Sequence, residues 1–164
     1  MYRDYPLTDL DVFFNAPPTE GAASALRDAL TPHLKDKTEK QAADFLLRFV
    51  QNAFAYQTDQ DQFGREKTFF MEEVLYYPYA DCEDRSVFYA YLVRELLGLE
   101  VVGLDYPGHV ATAVHFTEPL NGDYLEWNGK KYLICDPTYL NAEVGQAMDI
   151  FRGQAAKVVA LKNF

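Results

Sequence analysis

The stretch from Val87 to Leu97, closed by Gly98, limits the possible folds more than any other part of the chain. Val87, Phe88, Ala90, Tyr91, Leu92, Val93, Leu96 and Leu97 spread over most of the circumference of a helix running from Glu83 to Leu97. Such a helix has no broad polar face to turn to water, so other elements must surround it on several sides. Gly98 supplies a left-handed stop. The 164 residues are 49% hydrophobic and 15% aromatic, which is enough to bury one substantial core. The expectation is therefore one domain over 1–164, with a connector and short helix in 1–37 and the core in 38–164.

The flanking segments indicate what surrounds that helix. Tyr2 to Pro18 reads as a connector, and Gly21 to Leu30 as a short helix broken by Thr31-Pro32. From Thr38 to Ala55, apolar residues including Ala42, Phe45, Leu46, Phe49 and Val50 recur at steps of three and four, predicting an amphipathic helix with Thr38 as its N-cap. Gln57 to Lys67 reads as a loop, and Phe69 to Leu75 as a short helical turn. Strands are predicted at Val101–Leu104, Val110–Phe116, Tyr124–Trp127 and Tyr132–Cys135, with a terminal strand at Lys157–Leu161. Asn128-Gly129 is a hairpin turn signal. Helices first and antiparallel strands afterwards give an α+β fold, with the apolar helix lying on an antiparallel sheet.

Cys82 stands in Ala80-Asp81-Cys82-Glu83-Asp84-Arg85-Ser86, at the start of the apolar helix. The unpaired N–H groups and dipole of a first helical turn favour a thiolate, the nucleophilic form. Such a nucleophile needs a base and an orienting carboxylate, and the chain supplies Gly108-His109-Val110 and then Cys135-Asp136-Pro137-Thr138. His115 is six residues beyond His109, roughly 20 Å along an extended strand, so the two cannot share a site. His33 falls in a connector and is expected to be exposed. Cys135 is adjacent to Asp136, so if Asp136 faces the site Cys135 faces the other side of the sheet as a small buried hydrophobe.

These three motifs, in this order over roughly Ala42 to Gly145, resemble the transglutaminase-like superfamily. The resemblance implies a papain-like core with Cys82 as nucleophile, His109 as base and Asp136 as orienter. It also implies attack on a peptide or amide carbonyl through a thioester, with peptide hydrolysis expected before transamidation or deamidation of glutamine side chains. A non-catalytic binding or scaffolding module on the same fold is the alternative of a different class. Asp81 and Glu83 flank the cysteine as acidic residues do in the bacterial transglutaminase-like cysteine proteinases, where they help to bind calcium. Carboxylates suit that hard cation, although two side chains fall short of the six to eight ligands it takes. No other cofactor is implied. The second oxyanion donor beside the Cys82 N–H is not identified by the sequence, and Gln51 and Tyr76 are the candidates. Tyr77 and Tyr79 either wall a substrate groove or pack the connection against the core, and both readings stand at this point.

Twenty-five acidic against fifteen basic residues give a formal charge of -10, which argues against nucleic acid or an anionic membrane as partner. A protein or peptide substrate is the expected partner, and the oligomeric state stays open. No run approaches the roughly 18 apolar residues of a membrane span, so the chain reads as soluble. Its compartment is open, with a domain from a longer periplasmic or envelope-associated protein as one reading.

The proposed triad makes one demand on topology. His109 begins a strand and Cys135 ends one, so the two strands must be antiparallel neighbours, as in a long hairpin centred on Asn121-Gly122-Asp123. A simple meander through Tyr124–Trp127 would separate the pair. The expectation is that Tyr124–Trp127 is a short excursion outside the main ladder.

Overall fold

A computed structural model describes residues 9–162. Among them, α1 (Leu10–Asn15), α2 (Glu20–Leu34), α3 (Glu39–Ala53), α4 (Asp59–Phe63), α5 (Met71–Tyr76) and α6 (Cys82–Leu92) precede the strands β1 (Glu100–Tyr106), β2 (His109–His115), β3 (Tyr124–Trp127), β4 (Lys130–Cys135) and β5 (Lys157–Ala160). The fold is α+β, as the order of periodicities predicts. No helix among the described residues is long and apolar enough to cross a membrane.

α6 is the central element. Every residue from Asp84 to Leu92 is buried, which follows from its lack of a polar face. Asp81 caps it, accepting from the N–H groups of Glu83 and Asp84 at 3.1 and 3.3 Å, and Asp84 accepts in return from the Asp81 N–H at 3.2 Å. The last turn, Val93–Leu97, is wound as a π-helix, wider than the continuous α-helix expected. Gly98, at φ 65°, ends it with its N–H on the Arg94 carbonyl.

Three parts of the helical half differ from expectation. The described part of the presumed connector forms α1, which buries Phe13 and Phe14; residues 2–8 of that segment lie outside the described residues. Phe14 reaches the sheet because Gly103 has no side chain, and a Cβ there would stand 3.0 Å from the ring. Thr31-Pro32 does not break α2, which runs on to Leu34. Pro32 sits near the helix end, where the one carbonyl it deprives of an N–H belongs to exposed Asp28. The loop at 57–67 contains α4, capped by Thr58 and closed by Gly64 at φ 69°.

α3 forms as predicted, with a capping box between Thr38 and Gln41. Its buried face, including Leu46, Leu47 and Val50, packs on α6.

The sheet is antiparallel throughout, in the order β3-β4-β2-β1-β5. One face, with Val101, Val110, Val114, Leu133 and Cys135, joins the helical core. The other carries a smaller core of Val102, Leu104, Tyr106, Ala111, Ala113 and Ile134 and their neighbours. β2 and β4 are antiparallel neighbours, as the expected long hairpin requires, but with Thr112 opposite Cys135 their register is centred between Asp123 and Tyr124, slightly beyond the expected Asn121-Gly122-Asp123. Tyr124–Trp127 is not outside the ladder, however. It pairs with β4 as the edge strand, through a tight turn with Asn128 at φ 50° and Gly129 at φ 74°. The local turn and the long-range pairing are compatible because they use opposite edges of β4.

Gly122 and Gly145 meet where the chain crosses the end of β4, and the Gly145 N–H donates to the Ile134 carbonyl at 2.7 Å. A Cβ on Gly122 would lie 2.6 Å from the Gly145 Cα, and Gly122 itself stands at φ 149°. Gly122→Ala should therefore destabilise the fold by roughly 2–3 kcal/mol, measured by urea unfolding, because both backbones would have to move. An unchanged midpoint would refute this reading of the crossing.

Candidate functional site

β2 and β4 bring His109 and Asp136 together. Extending their register by one pair sets Ala111 opposite Asp136 and His109 diagonal to it, within reach across the strands. The His109 Nε2 lies 2.7 Å from Asp136 Oδ2, and both residues are buried. The other oxygen, Oδ1, accepts from the N–H groups of Thr138 and Tyr139 at 2.9 and 3.3 Å. Where Nε2 donates to the carboxylate, Nδ1 is the ring nitrogen left to take a proton. The Phe151 ring stacks on the imidazole at 4.7 Å and 13°, and Tyr106 lies beyond it at 6.5 Å.

Cys82 is the first residue of α6, and that end is fixed to the sheet by the Ser86 hydroxyl, which donates to the Val110 carbonyl at 3.1 Å. The Val110 N–H is directed at the Cys82 sulfur, which places the thiol one residue from the His109 backbone. Among the described residues, no hydrogen bond joins the sulfur to the His109 ring. Burial pushes the Cys82 thiol up to about 12; the Val110 N–H opposes this, while the charges of Asp81, Glu83 and Asp136 add to it. The helix N-terminus therefore does not by itself yield the expected thiolate. The proton stays on sulfur unless a base removes it. Cys135 is fully buried on the helical side of the sheet, as alternation predicts, and its thiol is likewise pushed up to about 12 by burial.

The two oxyanion candidates are placed differently from expectation. Gln51 is buried, and its Nε2 is shared among the carbonyls of Asp136, Tyr139 and Ala142 at 3.3, 2.8 and 3.0 Å. It holds the loop that presents Asp136 and has no amide hydrogen left for an oxyanion. Tyr76 is 81% exposed and contacts the Tyr77 ring edge-on at 5.1 Å. Tyr56 is a hydroxyl that the sequence reading passed over. Its ring lies over the Arg85 guanidinium at 5.5 Å, and the charge of Cys82 helps to raise its pKa, after burial.

A cavity of about 490 Å³ opens here, lined by Gln51, Phe54, Tyr56, Arg85, Thr138 and Leu140 among others. Tyr77 and Tyr79 do not line it. Tyr77 stacks on Phe69 at 4.8 Å, which favours the packing reading, and Tyr79 is in a short bridge with Ala55. A second cavity, of about 560 Å³, lies on the sheet face away from the helices, and the Tyr106 and Phe151 that flank His109 are part of its wall. The signal for Tyr56 was the aromatic Phe54-Ala55-Tyr56 at the end of α3, which periodicity alone assigns to packing.

The acidic residues also sort themselves differently. One carboxylate oxygen each from Asp59, Asp81 and Asp84 lies within 4.8 Å of the others, and all three residues are buried. Glu83 is outside this group and accepts from the Thr68 hydroxyl at 2.7 Å, so the flanking pair Asp81 and Glu83 is not the set that converges. Burial pushes Asp59 up to about 7 and raises Asp81 and Asp84 as well. His33 is exposed on α2, stacked on Phe45, and His115 binds the Lys131 carbonyl at the far end of β2.

No protein-family model matches the chain, and no curated protein does.

A thiol at about 12 predicts slow chemistry once the base is gone. In His109→Ala, alkylation of Cys82 by iodoacetamide at pH 7 should be at least about 100-fold slower than that of a model thiol of pKa about 8.5, and should still rise steeply with pH beyond 9. A rate that levels off below pH 9 would contradict it.

Proposed function

We propose that this chain is a cysteine-dependent hydrolase or acyl-transferase of the transglutaminase-like, papain-like kind, acting on peptide or amide bonds and working first as a peptidase. The observation that supports it is the buried 2.7 Å contact between His109 Nε2 and Asp136 Oδ2 beside the helix that begins with Cys82. Packing alone does not call for a polar pair there.

In this reading His109 Nδ1 takes the Cys82 proton as the sulfur attacks the carbonyl carbon, and Asp136 stabilises the imidazolium that results. The Cys82 N–H, which has no partner within the first helical turn, faces the developing oxyanion, with the Tyr56 hydroxyl as second donor. Collapse of the tetrahedral adduct breaks the C–N bond, and the leaving amine takes the proton from His109. The thioester is then attacked by water, with His109 again as base, giving a carboxylic acid and the free thiol. An amine in place of water gives transamidation. The cavity lined by Tyr56, Arg85 and Thr138 and the one lined by Tyr106 and Phe151 would receive the two halves of the substrate.

Cys82→Ala and His109→Ala should each lower kcat/KM by about 1000-fold or more with the fold intact by circular dichroism. Tyr56→Phe should lower kcat by roughly tenfold with little change in KM. Cys135→Ser should keep activity and lose about 1–3 kcal/mol of stability from burying a hydroxyl. A peptide-library cleavage screen run beside an amine-incorporation screen separates peptidase from transglutaminase. Activity in neither, with Cys82 no more reactive than a model thiol, would leave the binding-module reading in its place.

A further inference from the structure

We infer that Phe151 is a positioning residue for His109: its ring sets the plane of the imidazole and keeps water from the contact with Asp136. Its bearing on catalysis rests on the reading of Cys82 as nucleophile and His109 as base, whereas the placement of the ring does not.

The first observation is what holds the imidazole. Among the described residues it makes a single hydrogen bond, from Nε2 to Asp136 Oδ2 at 2.7 Å. One hydrogen bond fixes one point of a ring and leaves the ring free to pivot about that line. A flat contact removes the pivot, and Phe151 makes one, with centroids 4.7 Å apart and planes inclined by 13°. That separation lies within the range of aromatic stacking. The Phe151 ring is backed in turn by Tyr106 at 5.0 Å, the residue paired with His109 across β1 and β2.

The second observation is how the ring is delivered. Phe151 ends a short helical turn, Asp149–Phe151, none of whose residues is fully buried. Ile150 points away and is 69% exposed, so the side chain turned inward is the one that meets the imidazole. The turn is moored on both sides. Asp123 Oδ2 accepts from the Ala147 N–H at 3.0 Å before it and from Arg152 at 3.2 Å after it, and Asp149 pairs with Arg152 at 3.0 Å. With the ring removed, that face of the buried imidazole would open to the cavity of about 560 Å³ that Phe151 helps to wall.

The test uses the full chain. By 1H NMR, the proton between His109 Nε2 and Asp136, assigned by its loss in His109→Ala, should exchange with water at least about tenfold faster in Phe151→Ala than in the parent. Phe151→Leu keeps most of the volume but no flat face. It should exchange at least about threefold faster, and it carries the test where Phe151→Ala does not fold. Phe151→Tyr should restore the parent rate, and Ile150→Ala should leave it unchanged. On the peptide that the cleavage screen selects, Phe151→Leu should lower kcat about tenfold with KM within about twofold, and Phe151→Tyr should keep both. The exchange measurement reads the ring whether or not any peptide is cleaved. Faster exchange without cleavage by the parent would therefore remove the peptidase reading and leave the positioning in place. The inference is overturned if Phe151→Leu exchanges at the parent rate, or if Phe151→Tyr loses as much kcat as Phe151→Leu. It is equally overturned if KM rises while kcat holds, which would make Phe151 a substrate contact instead.

Discussion

The fold depends on a helix that has nowhere to put a polar face. α6 is enclosed from Asp84 to Leu92, so α3 and α5, the sheet and α1 take positions set by its surface. Several of the polar groups it buries are answered by backbone: Ser86 by the Val110 carbonyl, Arg85 by three backbone carbonyls and the Tyr89 hydroxyl by the Ala43 carbonyl. Truncating Phe88 or Leu92, both without exposure, would open a cavity bordered by several elements at once, a change that usually costs several kcal/mol. The same enclosure brings the first residue of the helix, Cys82, to the ends of two strands.

Much of this was legible in the sequence because it rests on local signals. The capping box at Thr38, the stop at Gly98 and the positive-φ turn at Asn128-Gly129 each specify a conformation within a few residues. The antiparallel pairing of β2 with β4 was legible for a different reason, since only that pairing lets the start of one strand meet the end of the other. What the sequence did not reveal depends on tertiary context. α1 is too short for periodicity to distinguish from a connector, and it is stabilised by burying Phe14 over Gly103. Pro32 is tolerated because the carbonyl it strands faces water. Gln51 had the right position for an oxyanion donor, but whether its amide is free depends on three carbonyls more than 80 residues away.

The acidic first turn of α6 shows how one set of residues can serve two opposed demands. Carboxylates near a helix N-terminus are favoured by the dipole, and Asp81 and Asp84 satisfy the N–H groups that the helix leaves open. The charges of Asp81 and Glu83 nevertheless act on Cys82 together with burial to hold its proton. The local stability of the helix start and the reactivity of its first side chain therefore pull in opposite directions. A sequence reading that counts only the dipole assigns the thiolate too readily, because the cap residues supplying that end of the helix are themselves anionic.

The polar pair at the strand ends is held from both faces of the sheet, and this is what separates it from an incidental contact. On the helical side, Gln51 fixes the carbonyls of the loop that presents Asp136, and Asp44 accepts from the Val144 N–H at 2.7 Å a few residues further on. On the other side, Phe151 lies flat on the His109 ring. Its segment is moored by Asp123, which accepts from the Ala147 N–H at 3.0 Å and pairs with Arg152 at 3.2 Å. The imidazole and the carboxylate thus belong to a frame built by the β2–β4 register, while the sulfur arrives on the helix. The Ser86–Val110 contact is the link that fixes one against the other. Small shifts of α6 along the sheet would leave the His109–Asp136 contact untouched and change only the approach of Cys82, so the helix start is where this geometry is open to adjustment.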